Sequence, residues 1–193
     1  MWGKGSLSKH YIAGSGGHAT VLVSNLTSQS IEVQGFFDAS AEAFIDGLPI
    51  VGPDEHFSKI CDEGDVIHVG VGAAIQVRAK IFDKIIAAGI NVGSARHKSA
   101  IIDDNSTLGE GVQVMAGTVI QPRTTIHDNV VINTGALIDH DCLIGKNSFI
   151  SPGVIMCGGV TIGENVFIGA GVKLLPGAEV ASSSFVNAGQ IIK

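Results

Sequence analysis

From Ile102 to Ile191 the chain reads in sixes: IDDNST, LGEGVQ, VMAGTV, IQPRTT, IHDNVV, INTGAL, IDHDCL, IGKNSF, ISPGVI, MCGGVT, IGENVF, IGAGVK, LLPGAE, VASSSF, VNAGQI. The first position of all fifteen units is Ile, Leu, Val or Met. The fifth is Ser, Val, Thr, Ala or Cys in every unit except the last, where it is Gln190. Neither a helix nor an ordinary strand has this period. A strict period of six predicts a parallel β-helix in which each unit is one short strand and a corner, and three units close a triangular coil. The first-position aliphatic then points into the prism and stacks on its copy one coil away. The fifth position must be small because it also faces the narrow interior. Gly and Asn fall at the corners, where a positive φ is often required. Fifteen units make five coils, and at one inter-strand spacing of about 4.8 Å per coil the prism is about 24 Å long. The period does not fix its hand.

Outward from the repeat, the first half reads differently. His10–Ala13 is a short strand that runs into Gly14-Ser15-Gly16-Gly17-His18-Ala19 and a helix to about Ser28. Ile31–Phe37 is a second strand ending before Asp38, and Pro53–Ile60 a short helix with proline at its start. Val66–Val71 is a third strand, and Ala73–Ala88 an amphipathic helix stopped by Gly89. Strands alternating with helices predict a parallel sheet. The expected organisation is a Rossmann-like α/β unit over residues 1–93 and a β-helix domain over residues 94–193. Met1–Ser8 reads as a cloning remnant or a short native tail.

Composition narrows the function classes. Of 193 residues, 45% are hydrophobic and only 5% aromatic, with 26 glycines, which favours a packed core built around tight turns. A net charge of -6 argues against a nucleic-acid surface. No apolar run approaches a membrane span, and no basic-plus-apolar leader is visible. Cys61, Cys142 and Cys157 are odd in number and form no CxxC, so neither a disulfide framework nor a zinc knuckle is expected. These features fit a cytoplasmic protein.

Gly14-x-Gly16-x-x-Ala19, after a strand and before a helix, has the setting of a dinucleotide fingerprint, and Asp38 ends the next strand where a ribose contact would fall. Glycines let a backbone approach phosphate, and a helix N-terminus favours negative charge. A tight turn that needs glycine explains the same residues equally well. The chain enters its repeat too soon for a two-lobed dinucleotide domain, but half of such a fold can hold one nucleotide. Gly72 follows the third strand, at the end where this fold puts its ligand crevice.

His140 is the strongest candidate for chemistry. It stands third in its unit, at a corner, beside the carboxylate of Asp141, which can orient an imidazole and raise its basicity. Gly158 lies eighteen residues on, stacked over His140, and offers open space and a backbone N–H, the setting of a base beside an oxyanion donor. A solvated histidine at a polar corner is the competing reading. His18 can contact a ligand or cap its helix. His127 falls on another edge, and His10, His56, His68 and His97 have no partner visible in sequence. Cys142 falls on an inward position and reads as packing; Cys157, beside Gly158, is ambiguous. Phe149 flanks an interface or a ligand, and Asn133 and Thr134 are structural corner residues.

Ile132-Asn133-Thr134-Gly135, Ile138-Asp139-His140-Asp141-Cys142, Ile144-Gly145, Ser151-Pro152-Gly153, Gly158-Gly159 and Ile162-Gly163 through Gly169-Ala170-Gly171, together with Gly14-Ser15-Gly16-Gly17-His18, resemble one family. It is the left-handed β-helix sugar acetyltransferases that include sialic-acid O-acetyltransferases and bacillosamine-type N-acetyltransferases. The resemblance spans nearly the whole chain. It implies a left-handed coil, against the usual right-handed crossover preference, and a homotrimer with acetyl-CoA between neighbouring prisms. It implies His140 as catalytic base and Asp141 as its acidic partner. Gly158 matches a glycine near the acetyl carbonyl, and Ala170 and Ala188 match positions along the CoA arm. Gly16, Gly17, His18, Asp38 and Gly72 match the pocket for a nucleotide-linked sugar. The chain departs from some members at Phe149, where they carry a second histidine at the thioester, and at Asp38-Ala39, where they carry paired aspartates for the base.

The expected reaction is N-acetylation of a nucleotide-linked amino sugar by direct attack on acetyl-CoA, without a metal. The alternative is an O-acetyltransferase acting on sialic acid or a related sugar, which would leave the glycine loop structural. A metal-dependent hydratase needs three convergent histidines, and the coils hold only His127 and His140. A sugar-nucleotide-binding module without catalysis is the remaining class.

Overall fold

The computed structural model describes residues 8–39 and 44–193, so all but Ser8 of the terminal tail lies outside the described residues. The N-terminal unit is a six-stranded sheet in the order β3-β4-β2-β1-β5-β6. Its elements are β1 (His10–Ala13), α1 (Gly17–Ser28), β2 (Val33–Phe37), β3 (Phe44–Ile45), β4 (Leu48–Gly52), α2 (Phe57–Ile60), β5 (Val66–Val69), α3 (Ile75–Ala87) and β6 (Asn91–Val92). Strands β1, β2, β4, β5 and β6 pair in parallel, as the strand-helix alternation predicts. The departure is β3, antiparallel to β4. Asp46-Gly47 joins them with φ of 49° and 80°, the geometry of a two-residue primed turn. One side of the sheet packs α1 through Leu22 and Leu26, the other α3 through Phe82 and Ile85.

The remainder is a left-handed parallel β-helix. Seventeen two-residue strands, β7 (Ala95–Arg96) to β23 (Ile191–Ile192), stack in three flat faces, giving five coils and two further strands. The first face runs from Ala95–Arg96 to Phe185–Val186, the second from Ile101–Ile102 to Ile191–Ile192, and the third from Thr107–Leu108 to Glu179–Val180. Each strand pairs with the one eighteen residues on, as Val131 does with Phe149. First-position Ile126, Ile144 and Ile162 and fifth-position Ala136, Cys142 and Val160 fill a single buried core. Full burial of each such aliphatic is worth about 1.5–3 kcal/mol, so one column of them outweighs any single corner strain.

Fourth positions make the corners. Gly135, Gly153 and Gly171 have φ of 68°, 67° and 66° on one edge, and Asn129, Asn147 and Asn165 have 55°, 62° and 56° on another. The three asparagines bond side chain to side chain along the edge, Asn129 Nδ2 to Asn147 Oδ1 at 2.9 Å and Asn147 Nδ2 to Asn165 Oδ1 at 3.1 Å. That edge also receives Arg78 of α3. The buried guanidinium donates to the carbonyls of Gly72, Asn129, Asn147 and Ser148 and lies 5.8 Å from the centre of the Phe149 ring. Burial lowers its pKa to about 10, so it stays charged at neutral pH. Arg78 thus ties the N-terminal unit to the first face.

Asn147→Val, which keeps neither the amide bonds nor tolerance of positive φ, is expected to lower stability by about 2–4 kcal/mol, and Asn147→Gly by about 1–2. Urea denaturation followed by circular dichroism measures both; equal losses would show that the positive φ adds no cost beyond loss of the amide ladder.

Candidate active site

The unit Ile138–Leu143 turns the corner between the second and third faces. Ile138 and Cys142 point inward and are buried, which leaves the third and fourth positions, His140 and Asp141, exposed on the edge. Asp141 takes the left-handed corner conformation with φ of 59°. Asp139 Oδ1 accepts the His140 N–H at 2.8 Å and fixes the turn. The Asp141 carboxylate lies 2.6 Å from His140 Nδ1. A carboxylate can only accept, so Nδ1 carries the proton and Nε2 of the neutral ring keeps its lone pair.

The ring lies over Gly158. A Cβ there would stand 2.5 Å from Cε1 and 2.7 Å from Nε2, so the ring keeps this position only over glycine. The coil ladder uses the N–H groups of Cys157 and Gly159, the latter bonding the His140 carbonyl at 2.9 Å. The Gly158 N–H between them has no partner among the described residues. A base and an unused backbone donor therefore share one edge, an arrangement that can take a proton and hold a developing oxyanion.

Sequence reasoning missed Arg123. It occupies the same fourth position one coil earlier, eighteen residues before Asp141. Its Nε donates to Asp141 Oδ1 at 2.6 Å and its Nη2 to Oδ2 at 2.7 Å. Arg123 first, and His140 second, hold the Asp141 carboxyl well below the usual carboxylate range. The period places Arg123 one coil below Asp141, but an arginine at a polar corner looks like any solvated cation in the sequence.

Of the two cysteines near this edge, Cys142 is unsuited to nucleophilic attack. Cys142 is buried with its thiol against the Cys157 carbonyl at 3.3 Å, and burial pushes its pKa up. Cys157 is half-buried beside Gly158. Among the described residues no group of three or more His, Cys, Asp or Glu could hold a metal ion. None of the described helices is long and apolar enough to cross a membrane.

The glycine-loop residues gather elsewhere. Gly14, with φ of 96°, turns the chain out of β1. Gly16 and Gly17 are exposed and have open space where a side chain would stand, and no side chain caps α1. Ser15 Oγ donates to Asp38 Oδ2 at 2.7 Å, linking the loop to the end of β2. His18 does not cap the helix. It contacts Gln113 Oε1 through Nε2 at 2.7 Å, while Gln113 Nε2 donates to the Val69 carbonyl at 2.6 Å. The amide is thereby oriented with its oxygen toward the ring, which makes His18 Nε2 the donor. The ring packs on Gly72, where a Cβ would come within 2.9 Å of Nδ1. Burial lowers the His18 pKa, and the neutral ring bridges the loop to the prism. The apparently unpartnered His10 and His68 meet each other at 3.0 Å, and burial takes His68 down to about 4.

Gln113 and Phe149 both lie on the first face, and His140 on the edge opposite it. Within one chain the prism therefore stands between the glycine loop and His140. Phe149 is buried, stacked 5.5 Å from Phe167 and remote from the His140 edge. Ala170 and Ala188 are exposed one coil apart on the edge between the first and second faces. The second face, next to His140, presents an outward column of Ile101, Val119, Leu137 and Ile155, of which Ile101, Leu137 and Ile155 are 66, 43 and 37% exposed, and the exposed Lys173 separates it from Ile191.

Residues 9–85 match the family model of the PglD N-terminal domain, and residues 99–140 and 141–189 match that of the bacterial transferase hexapeptide (six repeats). Among solved structures, PerB from Caulobacter crescentus in complex with CoA and GDP-perosamine is 33% identical, with 97% of this chain and 90% of that one covered at a TM-score of 0.91. The acetyltransferase domain of PglB from Neisseria gonorrhoeae is 28% identical, with 97% and 92% covered at a TM-score of 0.92. WeeI from Acinetobacter baumannii shares the fold at 19% identity, with 96% of each chain covered and a TM-score of 0.70. A search of the curated proteins found no match.

Gly158→Ala is expected to swing the His140 ring off its position and break the Nδ1 contact with Asp141, with the coil intact. A crystal structure of the variant measures this; a ring left in place would show that the edge has slack.

Proposed function

Because the chain belongs to the left-handed β-helix sugar acetyltransferases, we propose that it transfers the acetyl group of acetyl-CoA to the amine of a nucleotide-linked amino sugar. The observation that carries this reading is the His140 imidazole, held by Asp141 with Nε2 free, beside the unused N–H of Gly158. The likeness to PerB, solved with CoA and GDP-perosamine, supports the substrate class.

In this mechanism the sugar nitrogen attacks the thioester carbonyl while His140 Nε2 accepts the amine proton. Asp141 stabilises the imidazolium, and the Gly158 N–H donates to the oxygen as it becomes negative. The tetrahedral intermediate then collapses, the C–S bond breaks, and the thiolate leaves and is protonated from His140. No acyl-enzyme forms, in keeping with buried Cys142. Ala170 and Ala188 leave a smooth edge for the CoA arm, and Phe149 stays with the packing under Arg78.

The nucleotide sugar is assigned to Gly16, Gly17, His18, Asp38 and Gly72. Gly16 and Gly17 expose the start of α1 to phosphate, while Asp38, steadied by Ser15, faces ribose or base. Since the glycine loop and His140 stand on opposite sides of one prism, a complete site needs a second copy. A homotrimer joined across the apolar second face would bring the loop of one copy to the His140 edge of the next. The reading places the reaction in the cytoplasm, where acetyl-CoA is supplied.

With acetyl-CoA and a panel of nucleotide-linked amino sugars, thiol release and a mass gain of one acetyl group on the sugar are expected. His140→Gln is expected to lower kcat about 10²–10⁴-fold with acetyl-CoA affinity nearly unchanged; a variant as active as the parent would refute the base. Asp38→Ala is expected to raise KM for the nucleotide sugar about tenfold and leave KM for acetyl-CoA alone, as steady-state kinetics would measure. Equal effects on both constants would move Asp38 out of the sugar pocket.

A further inference from the structure

We propose that Arg123 is a positioning residue for the reaction: its two-pronged grip on Asp141 sets both the aim and the proton affinity of His140. The inference rests on His140 being the base, but the contact it starts from does not. Arg123 reaches across one coil, from the same fourth position at φ of 59°, to place Nε on Asp141 Oδ1 and Nη2 on Oδ2. Oδ2 is also the atom that receives His140 Nδ1. One oxygen is therefore shared between a permanent cation and the imidazole.

Two consequences follow. The planar fork fixes the carboxylate plane, and through it the direction of the imidazole over Gly158. A free carboxylate on an exposed edge could rotate and lose the 2.6 Å contact. The second consequence is electrostatic. An unpaired aspartate would stabilise the imidazolium and raise the pH at which His140 becomes neutral. With its charge largely answered by Arg123, Asp141 still orients the ring but pulls on its proton less than an unpaired carboxylate would. The charged and titratable groups along this edge are Asp103 and Asp104 below, Arg123, Asp139, Asp141 and, above, Cys157. Asp139 is engaged with the His140 backbone N–H, and Arg123 is the one cation among these groups. Its loss therefore leaves His140 among carboxylates alone. Lysine would keep the charge but not the fork.

The test is a pH titration of His140 by NMR on histidine-labelled protein, beside kcat/KM against pH, for the parent, Arg123→Gln and Arg123→Lys. Arg123→Gln is expected to raise the His140 pKa, and with it the acid limb of kcat/KM, by about 0.5–1 unit, a modest shift because the edge is solvated. Its plateau rate is expected to fall about 3–10-fold because the ring is no longer aimed. Arg123→Lys is expected to restore most of the titration but little of the plateau. A His140 pKa unmoved in Arg123→Gln would overturn the proposal, as would an equal plateau in all three proteins. Full turnover in His140→Gln would instead remove the base reading, while the NMR titration would still report what Arg123 does to the ring.

Discussion

Every coil of the prism is held to the next by backbone hydrogen bonds between strands eighteen residues apart, and the corner residues of the candidate site are placed by them. A strand of two residues has no stability alone. It persists because the strand above and the strand below present their N–H and C=O groups at the same height, and because inward aliphatics make a continuous column. Registration and core filling are the same requirement: a side chain slipped by one position would leave the interior and expose the column.

That ladder explains how a reactive edge arises without a dedicated loop. The fourth residue of every unit after the first is forced into left-handed backbone geometry, and where it is not glycine it must tolerate the strain. Asparagines do so on one edge by bonding to each other, and an arginine and an aspartate do so on another by pairing. The same turn leaves the third-position N–H out of the ladder. At His140 an aspartate takes up that N–H, and at Gly158 none of the described residues does. Corner geometry therefore supplies, in adjacent coils, a fixed imidazole and a spare donor.

The sequence made the repeat, its core positions and the stacking of Gly158 on His140 legible because each depends only on a period. The Asp46-Gly47 hairpin also left a signal, but its strand of two residues is too short for an alternation to show. Other features are invisible to a periodic reading. Arg78 is a buried cation satisfied by carbonyls, and no residue type marks a carbonyl as a partner. Nor does a period say which face the N-terminal unit covers. That choice is made by Arg78, His18 and Gln113 together, and it separates the glycine loop from His140 within one chain. The roles given to Gly17, Ala170 and Ala188 rest on family resemblance, because exposed glycines and alanines carry no chemistry that spacing alone can read, whereas Gly16 and Asp38 also stand at the spacing of a dinucleotide fingerprint.

The eighteen-residue return also restricts how this chain can change length. Between Arg123 and Gly158 an inserted or deleted residue would rotate everything after it onto another edge, and the arginine, the imidazole and the glycine would no longer share a column. Bulges pushed outward at a corner, or whole coils added beyond the column, leave it intact. Genes for such proteins should therefore accumulate length differences at the ends of the prism and in outward loops, with the stretch through His140 kept free of gaps, a ruler imposed by geometry as much as by catalysis.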